Sequence, residues 1–290
     1  METIREYSLQ WEVTKSNYSD PRTADFFMMS SPVPTALICL GYLIFVLLGP
    51  AFMKDRKPYN IRNILFVYNF LMVALSGYLF YEFLASGWLA GYSLACQPVD
   101  YSLTPQAIRM TRVCYLFYIS KFIELMDTIF FIMRKNFHQV TVLHVLHHGI
   151  MPISWWFGVR FVPGGFGTFH ALLNSLIHFI MYLYYGLASL GPRFQKYLWW
   201  KKYMTSMQML QFIMVMIHSS QLLFIKCQYP MLFVYWIGLY AVMFLLFFSD
   251  FFIKTYLKPS KRKTSTTPTK RVSFHESAQK KQSNGYIKHD

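Results

Sequence analysis

The chain has 290 residues, 54% of them hydrophobic and 19% aromatic, with only 14% charged. A soluble domain carries about a quarter charged residues, so the composition excludes an ordinary soluble globular protein and points to lipid as the solvent. The net charge of +15 is therefore read as a property of loops and tails that reports orientation, not as a nucleic-acid footprint.

In chain order, residues 1–32 hold Glu2, Arg5, Glu6, Glu12, Lys15, Asp20 and Arg22 before any apolar run begins. They are read as a lumenal N-terminal segment with no cleavable signal, and Asn17-Tyr18-Ser19 within it is an N-glycosylation sequon. Apolar runs then follow at 33–53, 64–88, 113–133, 141–161, 169–189, 203–225 and 230–253, each near the ~20 residues a helix needs to cross a hydrocarbon core. The fourth is interrupted by Pro152, Gly158 and Arg160. Basic residues crowd alternate connections: Lys54, Arg56, Lys57 and Arg62; Arg134 and Lys135; Arg193, Lys196, Lys201 and Lys202; and the tail. The intervening loops offer mainly Arg109, Arg160 and Lys226. That alternation holds with seven helices and breaks with six, placing the N-terminus in a lumen and the C-terminus in the cytosol. The expected fold is an all-α polytopic membrane protein, with a seven-helix transmembrane domain over 33–255 and a disordered basic cytosolic tail over 256–290 that is attracted to anionic lipid heads.

Of four cysteines, Cys39 and Cys114 lie inside apolar runs, where a small apolar role is the default. Cys96 and Cys227 fall in two loops expected on the lumenal side, where disulfides persist, and a bridge between them is predicted against the alternative of two free thiols.

Polar side chains inside membrane segments are costly and mark function, so their depth is informative. The third run carries Lys121, Glu124 and Asp127 at a spacing of three, followed by Thr128. The fourth carries His144, His147 and His148 on one helical stripe, the fifth Asn174, His178 and Tyr182, and the sixth Thr205, Gln208 and Gln211. All sit at a similar depth on the cytosolic side of the middle, which a shared internal site explains better than independent structural roles. An ion network without chemistry, interhelical amide hydrogen bonds and interfacial tyrosines are the plainer readings. His170 and His218 fall nearer the lumen and are read as structural.

Two chemistries fit a histidine cluster. HxxHH is a spacing found in iron-dependent membrane desaturases and hydroxylases, since imidazole is a good iron ligand, but such sites use about eight histidines (by resemblance to that class). Of the nine present, His138, His275 and His289 lie in loop or tail, so the set falls short. The other chemistry is acyl transfer without metal. Neutral imidazole attacks a thioester, a low-dielectric site favours the neutral ring, and Asp127 or Glu124 would orient it as the third member of a triad does. Cations at the rim would hold an anionic carrier.

The segments KFIELMDT (121–128), HVLHH (144–148), NSLIHFIMYLYY (174–185) and TSMQMLQ (205–211) look like the four signature boxes of the very-long-chain fatty acid elongases, the 3-ketoacyl-CoA synthases of the endoplasmic reticulum membrane; RKPY (56–59) and the tryptophan pair at 155–156 are also similar. The resemblance covers roughly 20–255 and implies seven helices around a narrow acyl tunnel, with acyl-CoA and malonyl-CoA as substrates, no cofactor, and the other enzymes of an elongation cycle as candidate partners. It implies that His147 accepts the acyl chain, that His178 assists decarboxylation or condensation, and that His144, His148, Asp127 and Asn174 orient and polarise. Lys121, Lys201 and Lys202 would meet CoA phosphates, and Glu124, Gln208, Gln211 and Tyr182 would contact substrate. A di-iron desaturase or hydroxylase remains the alternative. Departures from the family pattern include Leu146 in the histidine box, where several relatives carry an aromatic.

Overall fold

A computed structural model describes residues 2–257. Every regular element among them is helical. The helices are α1 Glu2–Tyr18, α2 Val33–Met53, α3 Arg62–Phe83, α4 Pro105–Glu124, α5 Met126–Met133, α6 Val142–Phe161, α7 Thr168–Ser189, α8 Lys201–Ser220 and α9 Met231–Phe252. A π-helical turn, Leu84–Trp88, extends α3, and another, Ile253–Leu257, extends α9. The basic tail expected at 256–290 lies outside the described residues after Leu257.

Four helical segments are long and apolar enough to cross a membrane: Val33–Met53, Arg62–Trp88, Gly165–Ser189 and Met231–Leu257. This is a membrane protein, and its count differs from the seven runs read in the sequence. Helices α4, α6 and α8 have 20 residues each, enough length to span, but their polar side chains take them below the hydropathy of a free-standing span. Leu37, Leu47, Leu232 and Leu239 point outward on α2 and α9, where lipid is the natural neighbour.

Local chemistry sets the starts of the helices that carry the polar residues. Thr104 caps α4 by accepting from Ala107 N, with Pro105 at the first helical position. This start signal explains why the helix begins eight residues before its apolar run, at Pro105 and not at 113. Arg109 on this added length donates from Nε and Nη2 to Glu82 at 2.7 and 2.9 Å. Thr141 caps α6 by accepting from His144 N at 3.2 Å, which fixes the first histidine in the opening turn.

Helix α3 packs along α7 and α8 along α9, while α2 and α4 both lie against α6. The core that results gathers Phe83, Phe117, Tyr118, Trp155 and Trp156. Cys96 and Cys227, 131 residues apart, are bonded, as the loop placement predicts. They join the loop after α3 to the loop after α8 and mark one end of the bundle; the basic loops mark the other.

The N-terminal segment is more ordered than its sequence suggests. Trp11 of α1 meets Trp156 and Phe161 with ring centroids at 6.2 and 6.4 Å. Asp20 N donates to Arg160 O at 2.8 Å, and Trp156 Nε1 donates to Met28 O at 2.8 Å. Arg160 is buried beside Asp20 and Thr23, within 3.4 and 3.3 Å. Helix α6 therefore runs unbroken past Pro152 and Gly158 because its end is completed by a segment made much earlier in the chain. Replacing Trp156 by Ala removes a fully buried indole and should cost about 3–5 kcal/mol, read as a lower thermal midpoint in detergent with faster proteolysis of residues before Val33; an unchanged midpoint would contradict this docking.

Candidate active site

The polar residues singled out in the sequence do converge, but in two groups. The helix carrying Lys121, Glu124 and Asp127 is interrupted at Leu125, between α4 and α5, and the break divides the three. Lys121 and Glu124 stay together: Lys121 Nζ donates to Glu124 Oε1 at 2.7 Å and to Asn174 Oδ1 at 3.1 Å. His178 Nδ1 stands 3.2 Å from the same Glu124 oxygen, off the line of a hydrogen bond, and both His178 Nδ1 and Glu124 Oε2 are buried without a partner. Asp127 turns to Tyr182, whose hydroxyl donates to Oδ2 at 2.6 Å. The carboxylate beside an imidazole is thus Glu124, whereas the family resemblance gave the orienting role to Asp127 and substrate contact to Glu124.

The three histidines of α6 differ in what holds them. His144 Nε2 lies 2.8 Å from Thr128 Oγ1, which is 3.1 Å from the Tyr42 hydroxyl. His148 stacks at 4.3 Å from His144 and 5.2 Å from His147 between ring centroids. His147 has ring contacts alone, to His148 at 5.2 Å, His178 at 6.4 Å and Phe244 at 5.1 Å; among the described residues no hydrogen bond holds it. Tyr42 was absent from the sequence reading, although a lone phenol in the otherwise apolar run of α2 is a signal of the same kind as the others.

Two cavities meet at this cluster. The wider is lined by His144, His147, His148, Asn174 and His178 and reaches the basic end through His138, Thr141, Lys201 and Thr255. Gln208 and Gln211 also face it. The second is narrower, is walled mostly by apolar and aromatic groups from α6, α8 and α9, and runs toward the disulfide end. His147, Asn174, Gln211 and Phe212 belong to both. His148 and His178 line only the wider one.

The basic residues expected at a carrier's phosphates separate in this geometry. Lys201 lines the wide cavity. Lys202 is exposed over the Phe252 ring at 5.6 Å. Lys121 is only 2% exposed and is consumed by Glu124 and Asn174, so its reach to a rim is blocked by its partners. His170 Nδ1 is 2.5 Å from Gly167 O, and His218 stacks between Phe166 and Phe169 at 3.9 and 4.2 Å; both lie away from the cluster's hydrogen bonds. Among the described residues no three His, Cys, Asp or Glu side chains converge as a metal-ligand set.

Membrane helices with a polar cluster open to one end and an apolar cavity below it define a membrane protein with an internal amphipathic site. Comparison with known proteins makes this specific. The family model described as ELO, the GNS1/SUR4 family, matches residues 27–264, and the chain belongs to that family. It is 54% identical over 250 residues to very long chain fatty acid elongase 7 of Drosophila melanogaster, covering 86% of this chain and 76% of the relative. It is 51% identical over 255 residues to very long chain fatty acid elongase 1 of Homo sapiens, covering 87% and 90%, and 42% identical over 272 residues to very long chain fatty acid elongase 4 of Mus musculus, covering 94% and 86%.

The buried pair makes a stability prediction. Lys121→Met leaves Glu124 ionised and unpartnered, a loss of about 3–5 kcal/mol, whereas Lys121→Met combined with Glu124→Gln should cost clearly less than the sum of the two single changes. Thermal unfolding of the four proteins in one detergent reads the coupling, and additive losses would contradict the ion pair.

Proposed function

We propose that the protein is the condensing enzyme of fatty acid elongation, joining two carbons from malonyl-CoA to a long-chain acyl-CoA and releasing CO2 and CoA to leave a 3-ketoacyl-CoA. The observation that carries the reading is the position of His147, a histidine free of hydrogen bonds at the junction of a polar cavity open to the basic end and an apolar cavity running to the disulfide end. A thioester has the same duality: a polar carrier on one side of the reacting carbon and a hydrocarbon chain on the other. From His147 to Val162, both on the apolar cavity's wall, α6 rises ~22 Å, against ~15 Å for half a hydrocarbon core. The arm has the depth for a long chain.

In this mechanism His147 attacks the thioester carbonyl carbon, the CoA thiolate departs, and an acyl-imidazole holds the chain in the apolar arm. His148 is the weaker candidate because it reaches only the wide cavity. Asn174 polarises the carbonyl. A lysine ammonium only donates, so Lys121 fixes the Asn174 oxygen toward itself and leaves the amide N–H groups for the cavity. Malonyl-CoA then enters the vacated wide cavity and loses CO2. The resulting enolate attacks the acyl-imidazole carbon, which breaks the C–N bond and returns His147. His178, held beside Glu124, faces the enolate as a proton donor or acceptor. The exposed Lys201 at the mouth suits a CoA phosphate, with Lys202 nearby.

The reading places seven helices across the endoplasmic reticulum membrane with the basic end in the cytosol. Asn17, exposed in the last turn of α1, would then face the lumen with the disulfide, available for glycosylation. It calls on no metal or organic cofactor, and a di-iron desaturase or hydroxylase is the alternative against which it is tested. Enzymes that reduce and dehydrate the 3-ketoacyl product are the partners it implies.

The test is incubation of the purified protein with a long-chain acyl-CoA and radiolabelled malonyl-CoA, with iron measured in parallel. Labelled 3-ketoacyl product without stoichiometric iron is expected; iron without condensation would overturn the reading. His147→Ala should abolish condensation, and Asn174→Ala should lower kcat by about 10²–10³, the loss typical of one oxyanion donor, with a smaller change in KM. Wild-type turnover in the histidine variant would remove His147 from its role.

A further inference from the structure

The apolar cavity ends at a place built by the disulfide. Its far wall includes Val162, Gly167, Tyr229 and Phe233, and Val162 and Tyr229 also belong to the packed cluster against which Cys96 and Cys227 lie. Tyr229 is 3% exposed and stands two residues after Cys227. Its hydroxyl crosses the cavity's end and presses on Gly167, where an added β-carbon would overlap it.

The other side of the bridge is anchored as firmly. Phe166 N donates to Gln97 O at 2.7 Å, the residue after Cys96. Gly165 adopts φ +67° with its α-carbon against the Gln97–Pro98 backbone, a position where a β-carbon would come within 2.8 Å of Gln97 O. Only glycine accepts both that dihedral and that approach. The disulfide therefore clamps both chain segments that border the end of the cavity: the Gly165–Gly167 turn through Gln97, and Tyr229 through Cys227. The lateral seam between α6 and α9 is bridged separately by Ser154 Oγ and the Tyr240 hydroxyl at 2.7 Å.

We propose that Tyr229, held in place by the Cys96–Cys227 disulfide, is the end stop that sets the longest acyl chain the cavity accepts. The proposal rests on the condensing-enzyme reading and adds to it the residue that limits substrate length and the covalent bond that keeps that residue seated. Removing the phenol opens the end toward the disulfide loop. A larger side chain at Ile237, which also borders Gly167 and the cavity, shortens the space from the side.

The experiment uses the purified full chain, a ladder of saturated acyl-CoAs rising by two carbons, and radiolabelled malonyl-CoA, and reads the longest acyl-CoA that gives labelled 3-ketoacyl product. Tyr229→Ala should raise that ceiling by at least two carbons, Ile237→Phe should lower it by at least two, and Cys96→Ser with Cys227→Ser should raise it as Tyr229→Ala does. An unchanged ceiling in an active Tyr229→Ala protein overturns the end stop. If that variant does not fold, an unchanged ceiling in active Ile237→Phe protein does so. An unchanged ceiling in the active cysteine double variant removes the disulfide from the proposal. A wild-type protein that condenses no acyl-CoA would overturn the enzymatic reading and this inference together, a result distinct from condensation at an unaltered length.

Discussion

The buried pair between Lys121 and Glu124 is the constraint on which the site depends. Both side chains are 2% exposed, inside a bundle whose solvent is lipid, and isolated ions there carry a cost of several kcal/mol each even after relaxation. The pair offsets that cost only while its geometry holds, so the surrounding groups are recruited to keep it. The Phe117 ring lies 4.1 Å from the ammonium, Asn174 gives its carbonyl oxygen, and His178 approaches the carboxylate. Two side chains that reach the cavities are therefore oriented by electrostatics inside the protein and not by anything a substrate brings. Such preorganisation costs no rearrangement when charge develops during a reaction.

Hydropathy and chemistry compete along this chain. The four helical segments apolar enough to span alone contain α2, α3, α7 and α9, while α4, α6 and α8 carry Lys121, the three histidines and the glutamines. Helix α7 serves both sides, with Asn174, His178 and Tyr182 buried on one face of an otherwise apolar helix. The more polar helices gain their stability from neighbours: α2 and α4 lie against α6, and α9 against α8. Polar content that would be intolerable toward lipid becomes affordable once it faces a cavity or another helix.

Much of this was legible in the sequence. Run boundaries came within a few residues for α2, α6, α7 and α9, because long apolar stretches and caps such as Thr141 are local signals. The shared depth of Lys121, His147, Asn174 and Gln211 followed from helical rise, and their convergence is tertiary but was encoded in that depth. What was hidden depends on contacts no window contains. The interruption at Leu125 separates Asp127 from Glu124 although a spacing of three suggests one continuous face. The burial of Lys121 follows from partners on α7. Trp11 of α1 meets Trp156 and Phe161, and one tryptophan in a sequence window is too little periodicity to announce a helix against the bundle. The far wall of the apolar cavity is built from residues 162, 167 and 229, which only the folded chain brings together.

The docking of the N-terminal segment on α6 bears on how the molecule is made. Asp20 and Arg160 are 140 residues apart in sequence, and at about 5–20 residues per second a ribosome takes on the order of ten to thirty seconds to cover that interval. During that time the segment has no α6 to rest on, and α2 to α5 are made first. The buried arginine that ends α6 then meets a partner made long before it. The helix bearing the histidines is thus completed by residues translated well before it, so a bulky insertion beside Asp20 would disturb a centre far from it in sequence.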